Sequence, residues 1–396
     1  MDFDNSDIHG KLSKSSVLYF LVLFAPMALV LEFTHSEPLL IFIFAAIALI
    51  PLAKLIGDST EHLAIHYGTT IASLLNVTFG NAAEIIIGIV ALSAGLVNLV
   101  KASIIGSIIG NILLIFGLSL VVGGLKQKEQ FFNKENTSYQ SSMLFLAIIG
   151  LAVPTILSIT VSNPTTEVSL VGQGNIQFIS DVLAFVLLGV YIASIIFTFV
   201  THKHLFAIPS MKREEKDNGQ RNSNEGNKVY QDIDNQRQHS EDSHWSKKKS
   251  ILLLGAGVIG VVLVSEVLVS SVEVTIKKFG FGEMFVGAII VGIVGNAAEH
   301  SSAIMLARKG KLDLSIGIAA GSGTQVAIFV VPILVIAGIV VNRPFNLVFT
   351  IYELAMVFLA ALILNFIAHD GKSNWFEGIM LTAAYIMIAV GFFFIR

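Results

Sequence analysis

The sequence predicts an all-α membrane protein of about eleven transmembrane helices, one leading helix followed by two inverted five-helix repeats. Three observations carry this prediction. Of 396 residues, 54% are hydrophobic and 13% are charged, with a mean hydropathy of +0.77; a soluble domain carries about 25% charged residues. The apolar residues fall in runs near the 20 or so that a helix needs to cross a bilayer, and the charges crowd between the runs. The pentapeptide Gly80-Asn81-Ala82-Ala83-Glu84 returns as Gly295-Asn296-Ala297-Ala298-Glu299.

The runs lie at about 17–34, 38–56, 70–95, 101–124, 142–161, 178–200, 251–277, 283–306, 314–341, 345–367 and 375–395. They are continuously apolar rather than alternating, which argues against a β-barrel. The first run begins near Val17 and lacks the strong basic segment and small-residue cleavage site of a signal peptide. Residues 201–250 differ in kind: Glu214, Asp217, Asp232, Asp234 and Glu241 lie there among many Lys, Arg and Gln, so the stretch is expected as a polar loop without a core. The chain thus divides into 1–37 (tail and leading helix), 38–200 (first repeat), 201–250 (loop) and 251–396 (second repeat). Cysteine is absent, which excludes disulfides and thiol chemistry. No basic face points to nucleic acid, and no cofactor motif is present; the expected partner is the lipid bilayer.

Positive charge sets the orientation. With the N-terminus in the cytosol, 19 of the 25 Lys and Arg fall on the cytosolic side, in 1–16, 125–140, 201–250, 307–312 and at Lys372. The opposite side holds Lys101, Lys277, Lys278, Arg343 and Arg396. Eleven spans then place the C-terminus outside the cytosol. The short N-terminus fits a prokaryotic plasma membrane better than a vacuolar one.

The repeat extends beyond the pentapeptide. Upstream, Ser59-Thr60-Glu61 with Gly68 corresponds to Ser271-Val272-Glu273 with Gly280. Downstream, Gly106-Ser107-Ile108-Ile109-Gly110-Asn111 lies roughly where Gly321-Ser322-Gly323-Thr324-Gln325 lies in the second copy. Five helices is an odd number, so the second unit enters the membrane inverted. In such folds the site lies near the midplane, where the units meet.

Glu84 and Glu299 stand in apolar spans with no Lys or Arg alongside. Each costs roughly 2.5–3.5 kcal/mol if it faces lipid unaided, so each is expected to face a partner, water or an ion. Two carboxylates balance one divalent cation. Asn81 and Asn296, three residues earlier, are expected on the same helix face and offer the hard neutral oxygens that Ca²⁺ prefers. Gln325, Ser107, Asn111 and Ser322 can add oxygens. The glycines permit close backbone approach, either for the site or simply for helix packing. Metal and protons compete for the same carboxylates, and that competition couples their movement. The bland reading is that Asn and Glu only join helices by hydrogen bonds.

Other polar residues have two readings each. Glu61 and Glu273 are entry or proton-relay groups at the two mouths, or exposed helix-end charges; Glu266 shares the face of Glu273. His300 has Ile85 as its counterpart, and is either a proton shuttle or a bonded core histidine. Glu61-His62-x-x-x-His66 offers i, i+4 histidines, but His-Glu-x-x-His is absent, which disfavours a metallohydrolase. A transporter rather than an enzyme is expected.

The residues that carry these readings resemble the Ca²⁺/H⁺ exchangers of the CAX family, within the cation/Ca²⁺ exchanger superfamily. The paired Gly-Asn-Ala-x-Glu motifs at 80–84 and 295–299, His300 after the second, and Ser373-Asn374-Trp375 before the last helix are similar to that family over residues 17–395. The Na⁺/Ca²⁺ branch typically has Pro before the motif Glu, where this chain has Ala83 and Ala298. The resemblance implies an alternating-access antiporter exporting Ca²⁺ against inward H⁺. It also implies that Glu84 and Glu299 are central ligands, with Asn81, Asn296 and Gln325 supporting and Glu61 near the cytosolic mouth. Family members often carry an acidic central loop; here the loop is mixed in charge and ends in Lys247-Lys248-Lys249. Oxygen ligands suit several hard ions, so exchange using Na⁺ or carrying Mn²⁺ fits the same residues.

Overall fold

The computed structural model describes residues 20–67, 74–75, 78–125, 127–162, 173–202 and 245–395. The helices are α1 (Leu21–Phe33), α2 (Pro38–Ala64), α3 (Ala82–Ser93), α4 (Val97–Gly124), α5 (Lys134–Ser162), α6 (Gln173–Ile196), α7 (Lys247–Phe279), α8 (Glu283–Gly295), α9 (Ala297–Arg308), α10 (Leu312–Val340), α11 (Ile351–Asp370) and α12 (Trp375–Phe394). Among these residues eight helices are long and apolar enough to cross a membrane, and the bent pair α8–α9 makes a ninth. α1 and α3 are shorter apolar helices. The count of eleven is therefore not reached on the described residues alone; the expected span 70–95 includes 70–73 and 76–77, which lie outside them. So does most of 201–250.

Contacts between helix ends sort the bundle into two faces. On one, His66 Nε2 meets the Trp245 carbonyl at 3.3 Å, joining the end of α2 to the start of α7. On the same face β1 (Gln130–Phe131) pairs antiparallel with β2 (Lys372–Ser373), tying the end of α4 to the start of α12. On the far face, Lys101 near the start of α4 donates to the Val348 carbonyl, between α10 and α11. Thus α2 and α4 run toward the first face, called the loop face below, and α7 and α10 run away from it. The two units are inverted, as the odd helix number required. α7 against α2 is the most extensive helix pairing, and α1 is fastened outside it by Ser270 Oγ donating to Glu32 at 2.8 Å and by the Lys278–Glu37 pair.

Several boundaries differ from the runs read in the sequence, each for a local reason. The run at 345–367 becomes a helix only from Ile351. Residues 343–350 stay outside any helix: Asn342, two residues before Pro344, has φ +53°, and Thr350 with Glu353 forms a capping box that starts the helix. α7 begins at Lys247, inside the expected loop, because Ser246 accepts the Lys249 N–H at 3.3 Å as its cap. It ends at Gly280, whose φ of +68° is the left-handed stop. Asn374 caps α12 by accepting from the Phe376 and Glu377 amides.

Glycines set the tightest approach in the core. A Cβ on Gly106 of α4 would run into the backbone carbonyl of Ala288 on α8, and one on Gly292 would stand 3.0 Å from the Gly106 carbonyl carbon. These two helices touch backbone to backbone, so at Gly106 the packing role of the small residues is real.

Candidate functional site

The site is organised by two helix breaks. Asn81 has φ −94° and ψ 13°, and Asn296 has φ −93° and ψ 3°. Each is the residue just before a new helix, α3 or α9, and α8 meets α9 at a bend of 61°. The motif glutamate is in the first turn of the new helix in both copies. This corrects the expectation of one continuous helix with Asn and Glu on a shared face. Asn occupies the break, and neither Asn side chain caps the helix that follows. Both amides are therefore available to the neighbouring helices. Discontinuous helices of this kind, paired across an inverted repeat, are where transporters place their ion sites.

The carboxylates cross over. Glu299 Oε1 lies 3.1 Å from the position a Cβ on Gly80 would take, and Glu84 Oε1 lies 3.4 Å from the corresponding position on Gly295. Each motif's glycine is the surface against which the other motif's glutamate rests. Glu84 Oε2 and Glu299 Oε2 are buried and have no hydrogen-bond partner among the described residues. The two carboxylates are near enough to repel each other. Buried, unpaired carboxylate oxygens are costly unless they hold a proton or a cation.

The amides around them bond across the repeats. Asn81 Nδ2 donates to Gln325 Oε1 at 3.0 Å. Asn111 Nδ2 donates to Asn296 Oδ1 at 3.2 Å and to Ser322 Oγ at 3.1 Å. Asn296 Nδ2 donates to Ser107 Oγ at 2.9 Å and to the Gly292 carbonyl at 3.0 Å. Ser322 also lies beside Glu299. His300 Nε2 is 3.1 Å from Asn111 Oδ1; that oxygen belongs to an amide already donating through nitrogen, so Nε2 is the protonated ring nitrogen. His300 is buried, which places it as a bonded member of the network. The amide oxygens of Asn296 and Gln325 thus face amide N–H groups, whereas Glu84 Oε2 and Glu299 Oε2 are buried with no hydrogen-bond partner among the described residues.

The repeat register also sharpens. The spacing that relates Gly80 to Gly295 and Ser107 to Ser322 sets Gln325 against Gly110, not against Asn111. Yet Asn111 and Gln325 do the same work, since each binds the motif Asn of the other repeat. Asn111 lies within the π-helical segment Gly110–Ile115 of α4, and Gln325 immediately precedes the segment Val326–Val330 of α10. Such segments rotate the following turn and mark functional positions in many helices.

The outlying candidates are not brought to this centre. Glu273 is exposed and paired with Lys277 at 2.6 Å. Glu61 is exposed in the last turn of α2, and Glu266 is exposed on α7. His62, in the last turn of α2, stacks on Trp245 with ring centroids 4.5 Å apart. No cluster of three His, Asp or Glu side chains occurs among the described residues. One group went unforeseen. Lys101, read as a flanking charge, is half-buried and donates to Asn346 Oδ1 at 2.7 Å and the Val348 carbonyl at 2.6 Å, near buried Glu353. The Thr350-x-x-Glu353 pattern was its available signal.

The family model "sodium/calcium exchanger protein" matches residues 37–200 and 249–394. The chain belongs to this exchanger family. The two matched stretches of the exchanger flank the polar residues 201–248 and contain one motif each. It is 38% identical over 383 residues to the Ca²⁺/H⁺ antiporter of Aphanothece halophytica, covering 97% of this chain and 98% of that protein. It is 37% identical over 379 residues to the Ca²⁺/H⁺ antiporter ChaA of Bacillus subtilis strain 168, covering 95% and 99%. The solved structure of native YfkE superposes on the exchanger with a TM-score of 0.76 at 35% identity, covering 96% of this chain and 100% of that one.

Proposed function

We propose that this protein is a secondary active antiporter that exports Ca²⁺ from the cytosol in exchange for H⁺. The observation that carries this reading is the crossed pair, Glu84 against Gly295 and Glu299 against Gly80, with one buried, unpaired oxygen on each carboxylate. Relatives of 37–38% identity over nearly the whole chain are Ca²⁺/H⁺ antiporters, and the site has the two charges that this exchange needs.

The mechanism follows from charge balance. Two ionised carboxylates neutralise one Ca²⁺, and their oxygens are the hard ligands it takes. Asn296 and Gln325 complete the shell by turning their oxygens from neighbouring amides to the metal, and Asn81 adds its own oxygen, with Ser107, Asn111 and Ser322 adjusting around them. When the metal leaves, protons bind the same carboxylates and relieve their repulsion. The half-helices pivot at Asn81 and Asn296, so one site serves the two faces in turn. The cargo is carried unchanged, and the protein is a transporter rather than an enzyme.

The protein is multi-pass. The excess of Lys and Arg supports placing the loop face and N-terminus in the cytosol and the C-terminus opposite, in a prokaryotic plasma membrane. Oxygen ligands also accept Mn²⁺, and coupling to Na⁺ is the competing reading. The deciding experiment loads proteoliposomes with Ca²⁺, imposes a proton gradient without Na⁺, and follows Ca²⁺. Flux that ignores the gradient would sink H⁺ coupling, and competition among cations in the same assay ranks the cargo.

A further inference from the structure

The last helix of each repeat carries a single tyrosine, Tyr191 on α6 and Tyr385 on α12. Each is followed by isoleucine, and each is 5% exposed. The exchange proposed above gives neither of them a part. Both rings cross to the other repeat. Tyr191 stacks on Phe329 of α10 with ring centroids 4.6 Å apart. Tyr385 lies 4.0 Å from the position a Cβ on Gly110 of α4 would take. Phe329 belongs to the π-helical segment Val326–Val330, and Gly110 begins the segment Gly110–Ile115. A tyrosine of each repeat therefore packs on the π-helical segment of the other.

Tyr191 stands beside both partners of one hydrogen bond in the site. Its ring rests on Phe329, four residues after Gln325. Its hydroxyl lies beside Thr78, three residues before Asn81, without a hydrogen bond of good geometry. Each contact is about one helical turn from an amide, and the two amides are joined by Asn81 Nδ2 donating to Gln325 Oε1 at 3.0 Å. Tyr191 and Gln325 also line one cavity. Thr78 is itself fixed, its Oγ1 donating to the Leu74 carbonyl at 2.8 Å. π-helical turns are rare, and side-chain packing is what holds one in place. A long amide side chain also loses rotamer freedom when it is aimed at a ligand, and a backbone already held on each side lowers that cost. On the other half, α12 is set tightly against α4. A Cβ on Gly117 would stand 2.8 Å from the Gly378 carbonyl oxygen, and Tyr385 lies beside Gly110, the residue before Asn111.

We propose that Tyr191 is a positioning residue for cation binding. It holds the turn from Thr78 to Asn81 and the π-helical segment of α10 at the separation where the Asn81 and Gln325 oxygens reach one cation. Tyr385 does the same for Asn111 in the other half of the site. Neither tyrosine touches the cation; each acts through an amide of the site. The inference rests on the exchange proposed above and adds the residues that set the geometry of its ligands.

Ca²⁺ affinity is read on purified full-length protein from the rise in melting temperature with added Ca²⁺, which needs no transport. Y191L is expected to weaken Ca²⁺ binding about tenfold, whereas Y191F, which keeps the stack, loses at most about threefold. In reconstituted vesicles the Y191L loss should fall on the Ca²⁺ concentration for half-maximal flux rather than on the maximal flux. A double-mutant cycle separates positioning from packing. Y191L should add less than about twofold to the loss in Q325A but its full factor to the loss in N111A, and Y385L should show the reverse. F329L removes the same stack from α10 and replaces Y191L in the cycle if Y191L does not fold. The inference is overturned if Y191L binds Ca²⁺ as the parent does, or if either leucine variant adds the same factor to Q325A and to N111A. A parent protein whose melting temperature ignores Ca²⁺ would instead overturn the exchange itself.

Discussion

Glu299 rests on Gly80, its Oε1 3.1 Å from where a side chain would begin. The residues are far apart in sequence and sit in different repeats, and Glu84 repeats the arrangement on Gly295. Two carboxylates that each press on the other's helix break are joined to both breaks at once. Whatever binds between them must sense both repeats, which is the physical requirement for coupling cargo to a conformational change.

The charge itself is the first thing to remove. Glu84→Gln and Glu299→Gln keep shape and lose the ligand and the proton carrier. Each is expected to lower H⁺-driven Ca²⁺ flux by at least about a hundredfold, or roughly 2.7 kcal/mol of lost interaction. Glu273→Gln, at an exposed carboxylate paired with Lys277, is expected to stay near the parent rate. Flux in reconstituted vesicles decides, and normal transport by Glu299→Gln would refute the central assignment.

The glycines should not be equivalent. A methyl on Gly80 presses on Glu299 Oε1 at 3.1 Å, whereas one on Gly295 meets Glu84 Oε1 at 3.4 Å, ordinary contact. Gly80→Ala is therefore expected to weaken Ca²⁺ affinity about tenfold, near 1.4 kcal/mol, and Gly295→Ala by less. Calcium titration of initial rates gives the order; the reverse order would argue against the crossed contact.

Proton competition fixes the sign of the pH response. At low pH protons occupy the carboxylates and Ca²⁺ must displace them, so apparent Ca²⁺ affinity rises with pH until both are ionised. While both protons compete, the logarithm of the affinity should climb by up to about two for each pH unit. Glu84→Gln should cut that slope by about one wherever residual binding is measurable. A slope untouched by the substitution would mean that Glu84 is not a site of competition.

His300 offers a way to separate proton carrier from scaffold. Its Nε2–H satisfies Asn111 Oδ1. His300→Ala leaves that buried oxygen bare, at a cost of about 1–3 kcal/mol, which thermal unfolding in detergent should register. His300→Asn, if it restores a donor, should recover stability with the pH slope of exchange unchanged. A changed slope in a stable His300→Asn protein would make the ring a proton carrier after all.

Lys101 tests the closure of the far face. Lys101→Met removes two charge-assisted hydrogen bonds to residues 343–350 and leaves Glu353 without its neighbouring cation. The expected loss is about 3 kcal/mol, with Lys101→Arg retaining more. An unchanged melting temperature for Lys101→Met would show that the segment is held by other contacts.

Much of this molecule is written in local pattern. Apolar run length announced membrane helices because a helix must satisfy its own backbone in lipid, and the recurrence of Gly-Asn-Ala-Ala-Glu across an odd number of helices announced the inversion. Glu84 and Glu299 could be singled out because a carboxylate in an apolar run needs a partner. The start of α11 was missed, because the apolar residues from 345 onward read as helix, although Thr350 and Glu353 cap it at Ile351. What sequence could not supply was anything carried by contacts between distant segments. That Asn81 and Asn296 break their helices, that each glutamate settles on the other repeat's glycine, and that Asn111 and Gln325 reach across to the opposite motif follow from the packing of α4 against α8 and α10. Those contacts depend on where inverted helices cross, and no periodicity along a single chain records the angle at which two helices meet.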